Sequence, residues 1–291
     1  MSRQGSIRQK CPGCAWIRQL GILVLAAVAC LRVDSDQWLP HPGPAWKRYA
    51  TNVGGIRRII LQDGTQVDLN TGSEIKVRFT GAQREVVLTH GEALFTLVHR
   101  TSWPFSVRAG DATIHAAGTR FSVRLREQAQ ADVLVIDGHI AIYVGQQAAV
   151  ANVPRSHRAT PFALFVSAGE SIAMNSTTVL ARAQLPPATL KRRTAWTDGW
   201  LWFFKDPLPQ AVAEFNRYHR EQLVLVDPAL AAIEIGGRFR SSDLDSFIAT
   251  LEHAFDVRAL SSAVHGTGIA TIYLSGTCVR ARQQCNWPMV Q

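Results

Sequence analysis

From residue 51 to residue 175 the chain alternates apolar and polar residues with a period of two, and turn signals interrupt it about every ten residues. The run "IRRIILQDGTQVDLNTGSEIKVRF" sets the rhythm: strand, Asp63-Gly64 turn, strand, Asn70-Thr71-Gly72 turn, strand. Asp-Gly between two alternating runs is a strong short-range signal for a hairpin. The rhythm continues through "REVVLTHGEALFTLV", "PFSVRAGDATIHAAGTRFSVRL", "ADVLVIDGHIAIYVG" and "FALFVSAGESIAM". Gly64, Gly72, Gly91, Gly110, Gly118, Gly138 and Gly169 fall where the alternation breaks, as a turn or bulge with positive φ would require. Short strands with no helical stretch between them predict an all-β domain over 51–175, built as a sandwich, barrel or solenoid.

The period changes towards the C-terminus. Residues 176–195 carry two adjacent prolines and then three basic residues, and read as a connector. After it, "WLWFF" reads as a strand. Asp206 and Pro207 suit the start of a helix, with Leu208, Val212 and Phe215 on one face. "QLVLVD" and "AIEIGGRF" read as strands, with Gly236-Gly237 as a bulge. Ser242-Asp243-Leu244-Asp245 resembles a capping box, followed by the apolar stripe Leu244, Phe247, Ile248, Leu251 and Phe255. "ATIYL" adds a last strand. The order β-α-β-β-α-β predicts a small α+β module over 196–275, followed by a tail over 276–291. The fold class is therefore α+β overall, with the all-β domain first.

The N-terminus predicts export. Arg3, Arg8, Lys10 and Arg18 precede an uncharged run from Leu20 to Leu31. Residues 16–33 as a helix reach roughly 27 Å, close to one hydrocarbon core. The basic residues leave tail 1–15 in the cytoplasm and everything after the span outside it. The expectation is a single-pass inner-membrane protein, with linker 34–50 and the bulk of the chain in the periplasm. A cleaved signal peptide, or a lipoprotein with Cys30 as acceptor, fits the same pattern and exports the same residues.

Composition narrows the chemistry. The 291 residues are 47% hydrophobic and 18% charged, enough for a packed core. The net charge of +9 is spread thinly, with no basic-aromatic motif, so no nucleic acid is expected as a partner. None of the nine histidines stands in a metal-ligand spacing, and Ser122 lacks the context of a nucleophile. Glu92, just after Gly91, reads as a turn or ladder residue, since acid–base work needs a positioned partner. Cys11 and Cys14 form an isolated CPGC, while Cys278 and Cys285 could close a disulfide loop in an oxidising compartment. No catalytic residue, metal or cofactor is expected.

Four blocks in order resemble the FecR family of bacterial transmembrane regulators. They contain Asp63, Gly64, Leu69, Asn70 and Ser73; then Gly91, Glu92 and Phe95; then Pro104 and Phe105; then Gly118, Thr119, Phe121 and Val123. "AWTDGWLWFFKDPLPQAVAEFNRYHREQLVLVDPAL", with its triplet Asn216, Arg217 and Tyr218, is similar to the family's C-terminal block. The resemblance covers about residues 50–275. It implies a relay between the signalling domain of a TonB-dependent outer-membrane receptor, usually for iron-siderophore complexes, and an extracytoplasmic-function (ECF) sigma factor. It also implies that the C-terminal module is similar to the secretin and TonB short N-terminal (STN) domain. Strand addition there would engage Leu223, Leu225, Ile233, Ile235 and Phe239. Family members usually carry a cytoplasmic anti-sigma domain of about 80 residues, an ordinary small-domain size. Tail 1–15 cannot bury a core. Sigma-factor contact would then fall to a separate anti-sigma chain or to sequence upstream. The alternative is an exported lipoprotein or envelope-binding structural protein on the same β scaffold.

Overall fold

The structure is a computed structural model and describes residues 44–100, 102–144, 163–175, 178–262 and 270–276. The expected span 16–33 and the Cys278–Cys285 loop lie outside these residues. Among the described residues no helix is long and apolar enough to cross a membrane.

One strand organises the fold. β5 (Arg84–Thr96) is thirteen residues long and pairs with four neighbours. Its first half pairs with β4 (Glu74–Phe79) and β6 (Phe105–Ala109). Its second half pairs with β3 (Gln66–Leu69) and β8 (Arg120–Leu125). The first layer continues outward through β1 (Lys47–Ala50) on one side, and through β7 (Ala112–Ala116), β10 (His139–Val144) and β11 (Ala163–Ser167) on the other. The second continues through β2 (Arg57–Ile60), and through β9 (Ala131–Asp137), β12 (Glu170–Met174) and β13 (Val179–Gln184). The result is a sandwich of thirteen strands joined through β5.

The joint is a bulge at Thr89, two residues before Gly91. Register slips between Glu74 and Ile75, so that Leu88 faces Ile75 and His90 faces Glu74. The extra residue reverses which parity points inward. Val86 and Leu88 face the core before it, and Ala93, Phe95 and Leu97 after it. Gly91 takes φ +83°, and a Cβ there would stand 2.6 Å from Ser73 Cα. Phe95 stacks on Phe121 at 5.2 Å and meets Phe105 edge-on at 6.0 Å. Leu69 and Val123 complete this part of the core. All seven glycines expected to break the alternation have positive φ.

The Asp63-Gly64 turn has a second task. Arg84 is fully buried. Its Nη1 donates to Asp63 Oδ2 at 2.6 Å, and its Nε and Nη2 donate to the Trp103 carbonyl at 3.0 and 2.7 Å. Burial alone would raise the Asp63 carboxyl, but hydrogen bonds from Thr65 and Arg84 outweigh it and hold the pKa below the ordinary value. Pro104 is exposed, and its carbonyl accepts from Arg84 N at 2.8 Å. Thr119, next to Gly118, donates to the His139 carbonyl at 2.8 Å.

The C-terminal module runs β14 (Trp200–Pro207), α2 (Leu208–Asn216), β15 (Gln222–Leu225), β16 (Glu234–Arg240), α3 (Leu244–Phe255), β17 (Val257–Ser262) and β18 (Thr271–Gly276). β14 pairs with β16, while β18 lies between β15 and β17. Phe215 of α2 stacks on Phe247 of α3 at 4.0 Å, with Phe203 and Phe239 around them.

Several expectations change. Residues 47–50, read as linker, pair as β1. The segment read as connector 176–195 holds β13 and a short helix, α1 (Pro187–Arg193). β17 is an additional strand in the module, held by its antiparallel ladder with β18. Asp206 does not cap α2: it lies in β14, and its carboxylate accepts from Phe204 N. The bulge there is in β14 at Phe204-Lys205, opposite the glycines rather than at them. α3 is capped by Asp243, one residue later than the expected box, through Ser246 N. The all-β domain and the module lie within one compact unit, formed by the described residues from Trp46 onward.

Asp63→Asn would leave Arg84 charged and buried without its anion. The expected cost is about 3–5 kcal/mol, read as a lower urea midpoint with an unchanged m value.

Candidate functional site: a polar junction between sheet and module

The parity reversal just before Gly91 turns Glu92 and Leu94 outward from the second layer. Leu94 is fully buried there, not in the sandwich core but among Trp196, Phe215, Leu223 and the other apolar residues of the module. The outer face of the sheet is thus one wall of the module's core, with Ile56 and Ile136 packed at its margin.

Beside this apolar contact runs a chain of polar side chains that crosses the junction three times. Arg124 Nη1, on the sheet, donates to Glu214 Oε2 of α2 at 3.0 Å. The other oxygen of Glu214 accepts from Arg217 Nη1. Arg217 Nη2 crosses back to Glu92 Oε2 at 2.8 Å. Glu92 Oε2 also accepts from Asn70 Nδ2 at 2.9 Å. Asn70 Oδ1 then receives the Tyr218 hydroxyl at 2.8 Å, the third crossing. Backbone groups anchor both ends. Glu92 N donates to Ser73 Oγ at 2.8 Å, and Thr71 Oγ1 donates to the Arg217 carbonyl at 2.9 Å.

Local structure places each member. Asn70, Thr71 and Ser73 sit in the Asn70-Thr71-Gly72 turn, and the Asn70 backbone N–H bonds the Glu92 carbonyl at 2.9 Å. Arg124 lies directly opposite Glu92 in the β5–β8 ladder. Glu214 and Arg217 are three residues apart, so the helical turn brings them together. Asn216 holds the end of α2: its side chain donates to the Leu223 carbonyl and accepts from Leu223 N at 2.9 and 2.8 Å.

Electrostatics bind the chain together. Burial opposes the charge on Arg217, but Glu214 and Glu92 outweigh it and raise its pKa above the ordinary value. Burial likewise pushes Glu214 up, and Arg217 and Arg124 more than reverse it, leaving the carboxyl below the usual range. Burial, with Glu214 and Glu92 nearby, raises the Tyr218 phenol, which stays a neutral donor. Two carboxylates and two guanidiniums alternate, so the chain is neutral and each charge meets its opposite.

The expected site residues therefore divide. Asn70, Ser73, Glu92, Asn216, Arg217 and Tyr218 converge at the junction. Asp63 and Gly64 serve the buried ion pair, while Leu69, Phe95, Phe105, Phe121 and Val123 fill the sandwich core. The residues expected to add a strand do not present a common face. β15 and β16 belong to different sheets, and Leu223 and Ile235 are buried in the module core. Glu214, Arg124 and Thr71 were not singled out from the sequence. The signal for Glu214 was its spacing from Arg217 on a helix; Arg124 had none before register was known. Among the described residues no three His, Cys, Asp or Glu are placed to hold a metal.

Residues 47–141 match the family model described as FecR protein. This segment is the FecR-like domain of the chain. The matched segment includes Asn70, Ser73, Glu92 and Arg124, one side of the junction, and ends within β10. No curated protein matches the chain. Two crystal structures of a candidate anti-sigma factor from Parabacteroides distasonis ATCC 8503, at 1.65 and 2.50 Å resolution, share its fold. They are 23% identical, with TM-scores of 0.59 and 0.58; the match covers 79% and 80% of this chain and 99% and 100% of theirs. The fold likeness thus extends well beyond the FecR domain.

Arg217→Gln would leave Glu92 and Glu214 without the cation they share, at an expected cost of about 1.5–3 kcal/mol. Tyr218→Phe would remove one neutral donor, at about 1 kcal/mol. A double-mutant cycle of Arg217→Gln with Arg124→Gln should show coupling through Glu214. Because the folded pKa of Glu214 is depressed, its stabilisation is present above the ordinary carboxylate pKa and is lost as pH falls through the folded value. Glu214→Gln should therefore lower stability at neutral pH and flatten its acid dependence, measured by urea unfolding across the acid range.

Proposed function

We propose that this protein is a non-catalytic signalling relay of the FecR type, acting in a sigma-factor regulatory system. The supporting observation is the junction: the module is held to the FecR domain by a three-fold polar crossing beside a shared apolar core. A contact made on the module then bears on the β sandwich with little slack. The fold shared with a candidate anti-sigma factor is consistent with a regulatory role. In the full reading the chain is an inner-membrane protein whose periplasmic part meets the signalling domain of a TonB-dependent receptor. The STN-like module makes that contact, and the state of an ECF sigma factor responds, directly or through a separate anti-sigma chain. Iron-siderophore uptake is the process expected to be regulated.

A reporter driven by the cognate ECF sigma factor tests this in cells with and without the siderophore. Arg217→Gln should leave receptor co-purification intact while reducing the inducer-dependent change in transcription. A wild-type inducer response that survives deletion of the gene would remove the reading altogether.

A further inference from the structure

The sheet and the module do not close on each other everywhere. Next to the junction they leave a cleft of about 550 Å³, within the size range of small-molecule sites. Ser122 of the FecR domain and Ser171 of β12 line one side, and Trp196 and Trp202 line the other; α1 contributes Arg192 and Arg193.

Polar groups in this cleft lack acceptors. Trp196 is 4% exposed, and its indole Nε1–H has no partner among the described residues. Ser122 is 6% exposed, and its hydroxyl takes part in no hydrogen bond among them. A buried donor left unmet costs about 1–3 kcal/mol, and native structures rarely leave one without a water or a ligand. The cations of α1 are also under-matched. Arg193 gives one hydrogen bond, to the neutral Ser171 hydroxyl at 2.9 Å. Arg192 gives one long hydrogen bond, from Nη1 to the Phe204 carbonyl at 3.4 Å, stands 4.0 Å from Asp206 and lies over the exposed ring of Phe204. By contrast, Arg124, which also lines the cleft, is already taken by Glu214. The unmet groups are therefore one buried donor, one hydroxyl open to the cleft and a cationic edge, set around a tryptophan surface.

We propose that the cleft is a binding site for a small carboxylate with a planar apolar body and a second oxygen acceptor. The carboxylate pairs with Arg193 and Arg192, the second acceptor takes the Trp196 indole N–H or the Ser122 hydroxyl, and the body lies against Trp202. Guanidinium groups suit carboxylates by charge and by fork geometry. Because its walls come from the FecR domain and from the module, an occupant would add contacts across the junction.

The test is isothermal titration calorimetry of the full chain with 4-hydroxybenzoate as the probe. Tyramine, which replaces the anion with a cation on the same ring, is the control. Saturable binding of the anion is expected, weakened at least about tenfold by Arg193→Gln and by Trp196→Phe, with no binding of tyramine. Trp196 is buried and its replacement costs stability; Arg193 is exposed, so Arg193→Gln carries the test if the other variant does not fold. No saturable binding, equal affinity in Arg193→Gln, or equal binding of tyramine would overturn the assignment. The relay reading does not depend on it, since transcriptional response and ligand titration are separate measurements.

Discussion

A single change of parity in one strand makes the rest of the structure possible. β5 enters the sandwich with its even-numbered residues inward and leaves it with its odd-numbered residues inward. Without the bulge at Thr89, Glu92 and Leu94 would point into an apolar core, and Ala93 and Phe95 would face out. The bulge lets one strand belong to two layers and gives the second layer a usable outer face. It also explains why Gly91 tolerates no side chain: the Ser73 backbone occupies the space, and the Ser73 hydroxyl accepts from the displaced Glu92 N–H.

That outer face combines two kinds of contact with different roles. Leu94 supplies apolar area, which is non-directional and would tolerate a rotated or shifted module. The polar chain from Arg124 to Tyr218 is directional and has one satisfactory arrangement. Its net contribution to stability is modest, because partly buried ion pairs lose hydration as they gain one another. Its contribution to geometry is larger: any rotation of α2 on the sheet would break three crossings together. Apolar burial holds the halves together, and the polar chain fixes how they sit.

Much of this was legible in the sequence, for reasons that differ from element to element. Strands of the sandwich and their glycine breaks could be read because alternation and positive φ are local. The apolar faces of α2 and α3 follow from helical spacing. Asn70, Glu92, Arg217 and Tyr218 could be picked out as motif residues, but not as neighbours. Tyr218 and Asn70 are 148 positions apart, and no local pattern encodes that distance. β1 and β13 were hidden because an edge strand exposed to solvent loses the alternation that marks an interior one; every residue of β13 is exposed. Asp206 misled because a side chain able to cap a helix is equally able to hold a bulge.

The neutrality of the polar chain has an evolutionary corollary. Each charge on one side is answered by a charge on the other, so neither half carries a complete set. A FecR domain joined to a foreign module lacking the counterparts of Glu214, Arg217 and Tyr218 would lose all three crossings and leave Arg124 and Glu92 to face each other across the β5–β8 ladder. The two halves are thus heritable only as a matched pair. Recombination at the connection around α1 would keep both halves and lose the crossings that orient them.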